Sequence, residues 1–172
     1  MEILEILKYT LPALIVFLTS WLLVRSFINR EIQSRKMEAV LQNQKTITPL
    51  RLQAYERITL FLERISPENL LMRVNQPGMN CQQLQTQLLS IIRAEFEHNL
   101  SQQIYMTSRA WEVIKNAKNN TIKLINTTAG ELKPDAPALD LSKGILEKIM
   151  EMESSPSNAA IEFLKKEINQ VL

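Results

Sequence analysis

Apolar residues return along most of this chain at intervals of three and four, the spacing that places them on one face of a helix. Between Pro49 and Ile65 the positions Leu50, Ala54, Ile58, Phe61 and Ile65 follow that rhythm, with Tyr55 and Leu62 widening the stripe. Arg51, Gln53, Glu56, Arg57, Glu63 and Arg64 fill the other side, so the pattern predicts an amphipathic helix with one face to bury. Thr48 before Pro49 has the form of a helix start, and it predicts a break from whatever precedes it. Ser66 and Pro67 repeat the signal for a short helix to about Val74, and Gln76, Pro77 and Gly78 then make a turn.

From Asn80, a candidate N-cap, to about Thr127 there is neither Gly nor Pro. Leu84, Leu88, Ile91, Ile92 and Phe96 set the apolar rhythm, which resumes at Met106, Ala110, Val113 and Ile114. Residues 97–103, EHNLSQQ, and Asn119 to Thr121 are candidate interruptions, but the preferred reading is one continuous long helix. Residues 130–137, GELKPDAP, read as a loop. Two more helices are expected, at about 138–153 with Leu141, Ile145, Leu146, Ile149 and Met152 inward, and at about 156–171 behind a Ser155 cap.

The stretch from Tyr9 to Val24, YTLPALIVFLTSWLLV, differs in kind: sixteen residues without a charge, between Lys8 and Arg25. As a helix it rises about 24 Å against a hydrocarbon core of roughly 30 Å, and snorkelling by Lys8 and Arg25 would close the gap. Tyr9 and Trp21 lie toward its ends, where amphipathic rings favour the headgroup level. The expectation is a single transmembrane anchor over residues 1–28. An acidic start with Glu2 and Glu5 and no small residues after the run disfavour a cleaved signal peptide. Basic residues concentrate behind the run, at Arg25, Arg30, Arg35 and Lys36, so the positive-inside bias predicts an outer N-terminus and a cytoplasmic C-terminal part. Residues 29–47 read as a juxtamembrane helix or linker, and residues 48–172 as a helical bundle domain of four or five helices.

Composition agrees with helices. Three glycines in 172 residues leave little material for the turns that strands require, and the expected fold class is all-α. Charge is uneven: residues 25–77 carry net +4 and residues 131–172 net −3. An overall +2 gives no footprint for nucleic acid.

Candidate chemistry is sparse. Glu95 and His98 form the Glu-x-x-His pair that di-iron bundles use twice, but His98 is the only histidine, so only a symmetric dimer could complete such a site. The plainer reading makes His98 a polar contact paired with Glu95 or Gln102. Cys81, the only cysteine, lies at a helix start, where amide donors favour a thiolate, yet no second imidazole or Gly-rich motif accompanies it. No catalytic, metal or cofactor set emerges, and a non-enzymatic protein is expected.

Residues 51–67, RLQAYERITLFLERISP, and 93–111, RAEFEHNLSQQIYMTSRAW, resemble an uncharacterised domain-of-unknown-function family of small membrane-anchored helical proteins from Bacteroidota. The resemblance implies a bacterial single-pass protein, hence one at the inner membrane, with no established activity. The leading functional expectation is a scaffold module that binds an unknown protein partner at the membrane, touching it near Glu95 to Gln103 or on the short helix from Ser66 to Val74, with homo-oligomerisation open. The alternatives are a strut like the peripheral stalk of rotary ATP synthases and a metal-dependent enzyme assembled by dimerisation around Glu95 and His98.

Overall fold

The computed structural model describes residues 2–171, and side chains within them apart from those of 2–13, 39, 40, 43, 170 and 171. Among the described residues there are six α-helices and one 3₁₀ helix, with no strand. They are α1 (Glu2–Arg64), α2 (Pro67–Val74), α3 (Cys81–Asn99), a 3₁₀ turn (Leu100–Tyr105), α4 (Ser108–Gly130), α5 (Ala138–Met150) and α6 (Pro156–Val171). The chain divides into two compact units, Met1–Ile47 and Thr48–Leu172.

The expected anchor is overturned. Among the described residues no helix is long and apolar enough to cross a membrane. The charge-free run Tyr9–Val24 is sixteen residues, about 24 Å of helix where roughly 30 Å is needed. Thr19, Ser20 and Trp21 interrupt it, and Thr19 Oγ1 satisfies itself by donating to the carbonyls of Ile15 and Val16, both at 3.0 Å. The single-pass topology and the inner-membrane location were inferred from that span and fall with it. Tyr9 to Ala13, the remainder of the expected span, have side chains outside the described residues.

The break expected at Pro49 is also absent, since α1 is assigned without interruption from Glu2 to Arg64. A proline inside a helix removes one amide donor and crowds one carbonyl, at about 3 kcal/mol. The turns that follow it bury Ala54, Tyr55, Ile58, Phe61, Leu62 and Ile65 at 4% exposure or less, and each large apolar side chain so buried returns about 1.5 to 3 kcal/mol. Leu50, assigned to the same stripe, stays 42% exposed.

The long helix expected over residues 80–127 is two helices folded back on each other. Asn99, buried, donates its side-chain amide to the carbonyl of Glu95 at 2.9 Å, a local bond that competes with continued helix. The Leu100 amide then turns to Glu97 O, tightening the chain into the 3₁₀ turn. Thr107 restarts the helix as N-cap of α4, its Oγ1 accepting from the Ala110 amide at 3.1 Å. The second candidate interruption, Asn119 to Thr121, lies inside α4.

Unit Thr48–Leu172 encloses one core, with Ile58, Leu62, Leu84, Leu88, Ile114 and Ile145 at 1% exposure or less. At its centre three helices meet through aromatic rings: Phe61 of α1 lies 5.9 Å from Phe96 of α3, and Phe96 stacks 5.6 Å from Trp111 of α4. Asn80 caps α3 with a full capping box, exchanging bonds with Gln83. The loop before α5 satisfies further free amides at this end, as Cys81 N donates to Ala136 O at 2.8 Å and Gln82 N to Pro134 O at 3.2 Å. Leu146 and Met152, expected inward, are 38% and 41% exposed.

Helix α5 approaches α4 closely at Gly144, where an added Cβ would lie 2.8 Å from Thr128 Cγ2. Thr128 is buried and its hydroxyl is held on the Leu124 carbonyl at 2.8 Å, so it cannot swing away freely. Gly144→Ala should therefore lower stability by about 1 to 3 kcal/mol despite better helix propensity, and Thr128→Ser in the same chain should recover most of the loss, both read from urea unfolding. Phe61→Ala should cost about 3 to 5 kcal/mol in the same assay, since it removes a buried ring from the meeting point of three helices.

Candidate functional site

The residues singled out from sequence do not converge. Lys8 and Tyr9 have side chains outside the described residues. Trp21 and Arg25 are exposed on α1, with Trp21 55% accessible and its ring 6.5 Å from that of Phe17. Glu95 and His98 share α3 but not a bond. Glu95, half-buried, takes Arg64 of α1 instead, with Nη1 at 3.2 and 3.3 Å from its two oxygens, while His98 faces solvent. Gln102 sits in the 3₁₀ turn and donates weakly to Ser101 Oγ at 3.4 Å. Among the described residues no three His, Cys, Asp or Glu side chains gather to hold a metal ion.

The structure assembles a different polar cluster, where α1, the start of α4 and α6 meet. Glu167 of α6 receives the Tyr55 hydroxyl on Oε2 at 3.0 Å and the Thr107 hydroxyl on Oε1. Arg51, one turn before Tyr55 on α1, donates Nε to the Tyr105 carbonyl at 3.3 Å, at the end of the 3₁₀ turn. Burial raises the Tyr55 pKa above its ordinary 10.0, and the Glu167 carboxylate adds to the effect; Arg51 opposes it. The phenol is thus a donor locked on a carboxylate, and Thr107 is spent on both the carboxylate and its own helix cap. This arrangement joins three elements and leaves no nucleophile with a free base. In sequence it was invisible, because 112 residues separate Tyr55 from Glu167.

Cys81 is buried at the start of α3, and its thiol pKa is raised, first by desolvation and then by the charge of Asp140. That is the reverse of the thiolate suggested by its place at a helix start. A concavity of about 810 Å³ runs along the exposed side of α3, lined by Pro77, Met79, Gln82, Gln83, Gln87 and Ser90 among others, and none of its lining residues is ionisable. A second, of about 400 Å³, lies between α4, α5 and the start of α6 beside Lys123 and Lys148, and Lys148 is engaged by Glu131 at 2.6 Å. Amides and hydroxyls can hydrogen-bond a ligand or a peptide in the first of these, but they supply no general acid or base near neutrality.

The Tyr55 bond makes a pH prediction. A folded-state pKa above the unfolded value means that its contribution is complete below pH 10 and is lost as pH rises through the raised value. Tyr55→Phe should lower stability by about 1 to 2 kcal/mol at neutral pH, and the gap between wild type and variant should narrow above pH 10 in urea titrations at stepped pH.

No curated protein and no solved structure matches this chain. One family model does match, and it carries neither the membrane anchoring nor the Bacteroidota origin implied by the resemblance in residues 51–67 and 93–111. The match extends over residues 1–171, so the chain belongs to the Family of unknown function (DUF7935).

Proposed function

We propose that the helical unit Thr48–Leu172 is a non-enzymatic interaction module that docks another protein through the 3₁₀ turn between α3 and α4. The observation that carries this reading is the pair Leu100 and Ile104, 43% and 74% exposed on an element clasped to the bundle by Arg51. Apolar side chains on a turn held rigid from behind present a preorganised contact, which lowers the ordering cost of binding. Exposed Glu97 lies one helical turn before Leu100 and adds a negative charge beside the apolar pair. The complementary partner is a protein surface with an apolar side chain next to a basic one. Support also comes from where the bundle's chemistry-bearing groups are spent: Tyr55, Thr107 and Glu167 on each other, Glu95 on Arg64, and Cys81 in the core.

A photo-crosslinker at Gln103 in the full chain, expressed in its native cells, should give one discrete adduct, and the same probe at Asn116 on the exposed side of α4 should not. Ile104→Glu should abolish the Gln103 adduct without shifting the thermal midpoint of the purified protein. Equal adducts from both positions, or an adduct indifferent to Ile104→Glu, would remove this surface from consideration.

A further inference from the structure

Asn120, Lys123, Leu124 and Thr127 are spaced 0, 3, 4 and 7 along α4, so they share one face of that helix. Against that face the chain turns from α5 into α6. The Met152 amide donates to Ile149 O at 3.0 Å as α5 ends, and Pro156 starts α6. Between them lies the concavity of about 400 Å³, walled by three elements rather than laid along one helix. Its volume is within the roughly 300 to 1,000 Å³ of small-molecule sites.

The lining divides by chemistry. Leu124, Met152 and Pro156 make an apolar wall, and the Met152 thioether, 41% exposed, can adapt its shape to what it touches. Asn120, Lys123 and Thr127 add an amide, an ammonium and a hydroxyl, and no acid lines the space. The two cations are not equivalent. Lys148 is spent on Glu131 at 2.6 Å, whereas Lys123 is exposed and has no acidic partner within 4.0 Å among the described residues. One uncommitted ammonium beside an apolar wall complements a single negative charge on an apolar body. A dianion would need the second cation, which Glu131 already neutralises.

We infer that this concavity binds a small organic monoanion, a carboxylate on an apolar chain. Its head meets Lys123, with Thr127 and Asn120 as further donors, and its chain lies against Leu124, Met152 and Pro156. The site shares no residue with the 3₁₀ turn, so it stands apart from the docking role and the two fail separately.

The test is an NMR titration of the full-length protein, its methionine methyls labelled with ¹³C, with octanoate and in parallel with octanol and with acetate. Octanoate should move the Met152 methyl resonance saturably, the resonance being assigned by its loss in Met152→Leu, and leave that of Met72, 80% exposed on α2, in place. Octanol has the chain without the charge and acetate the charge without the chain, so each should bind about tenfold more weakly than octanoate or not at all. Lys123→Gln should raise the octanoate dissociation constant about fivefold or more, while Lys115→Gln, at an exposed lysine of α4 outside the concavity, should leave it within about twofold. The thermal midpoint should be the same for wild type and both lysine variants, so that lost binding is not lost fold. A Met152 resonance that does not move, or a Met72 resonance that moves equally, would overturn the proposal. So would octanol binding as tightly as octanoate, or equal effects of Lys123→Gln and Lys115→Gln.

Discussion

Phe96 sits where three helices of the larger unit meet, between Phe61 of α1 and Trp111 of α4, and the rest of that unit depends on the contact being made. Trp111 reaches Phe96 only because the chain reverses between residues 99 and 108. A straight helix would carry Trp111 about 22 Å away along the axis, at 1.5 Å for each of fifteen residues. Lys118 adds its ammonium 4.1 Å from the Phe96 ring centroid, covering the open face of the cluster with a cation. Aromatic burial and helix reversal are therefore one constraint.

Around that point, polar groups act as fasteners at the ends of helices. Glu167 gathers Tyr55 and Thr107, and Arg51 holds the 3₁₀ turn by its last carbonyl, so α1, the start of α4 and α6 are fixed together at one end. Near the α3 start, the loop before α5 supplies carbonyls to amides that a helix N-terminus leaves free. Each bond contributes only about 0.5 to 1.5 kcal/mol net, but leaving the same groups buried and unpaired would cost more, so the fasteners select one packing among several that the apolar stripes permit. Arg51 ties the end of the exposed 3₁₀ turn to α1 in the same way.

The smaller unit obeys a different balance. Its large apolar side chains from Leu14 to Ile28 are exposed, although those residues are as hydrophobic as the bundle core. A helix apolar on most sides is stable when something covers it.

Much of the larger unit could be read directly from the order of residues. Three- and four-residue spacing fixed the helical class and the buried faces of Ala54 to Ile65 and Leu84 to Ile92, and caps located the starts at Asn80, Pro67 and Pro156, because caps and stripes are local properties of a few consecutive residues. Three features needed the folded chain. The reversal at Leu100 to Tyr105 has no Gly or Pro to announce it and is driven by what Trp111 gains on reaching Phe96. Pro49 is absorbed into α1, where burial of the following turns outweighs a lost amide. The Tyr55, Thr107 and Glu167 cluster joins residues far apart in sequence, and no local pattern records which distant side chains a fold will bring within 3 Å.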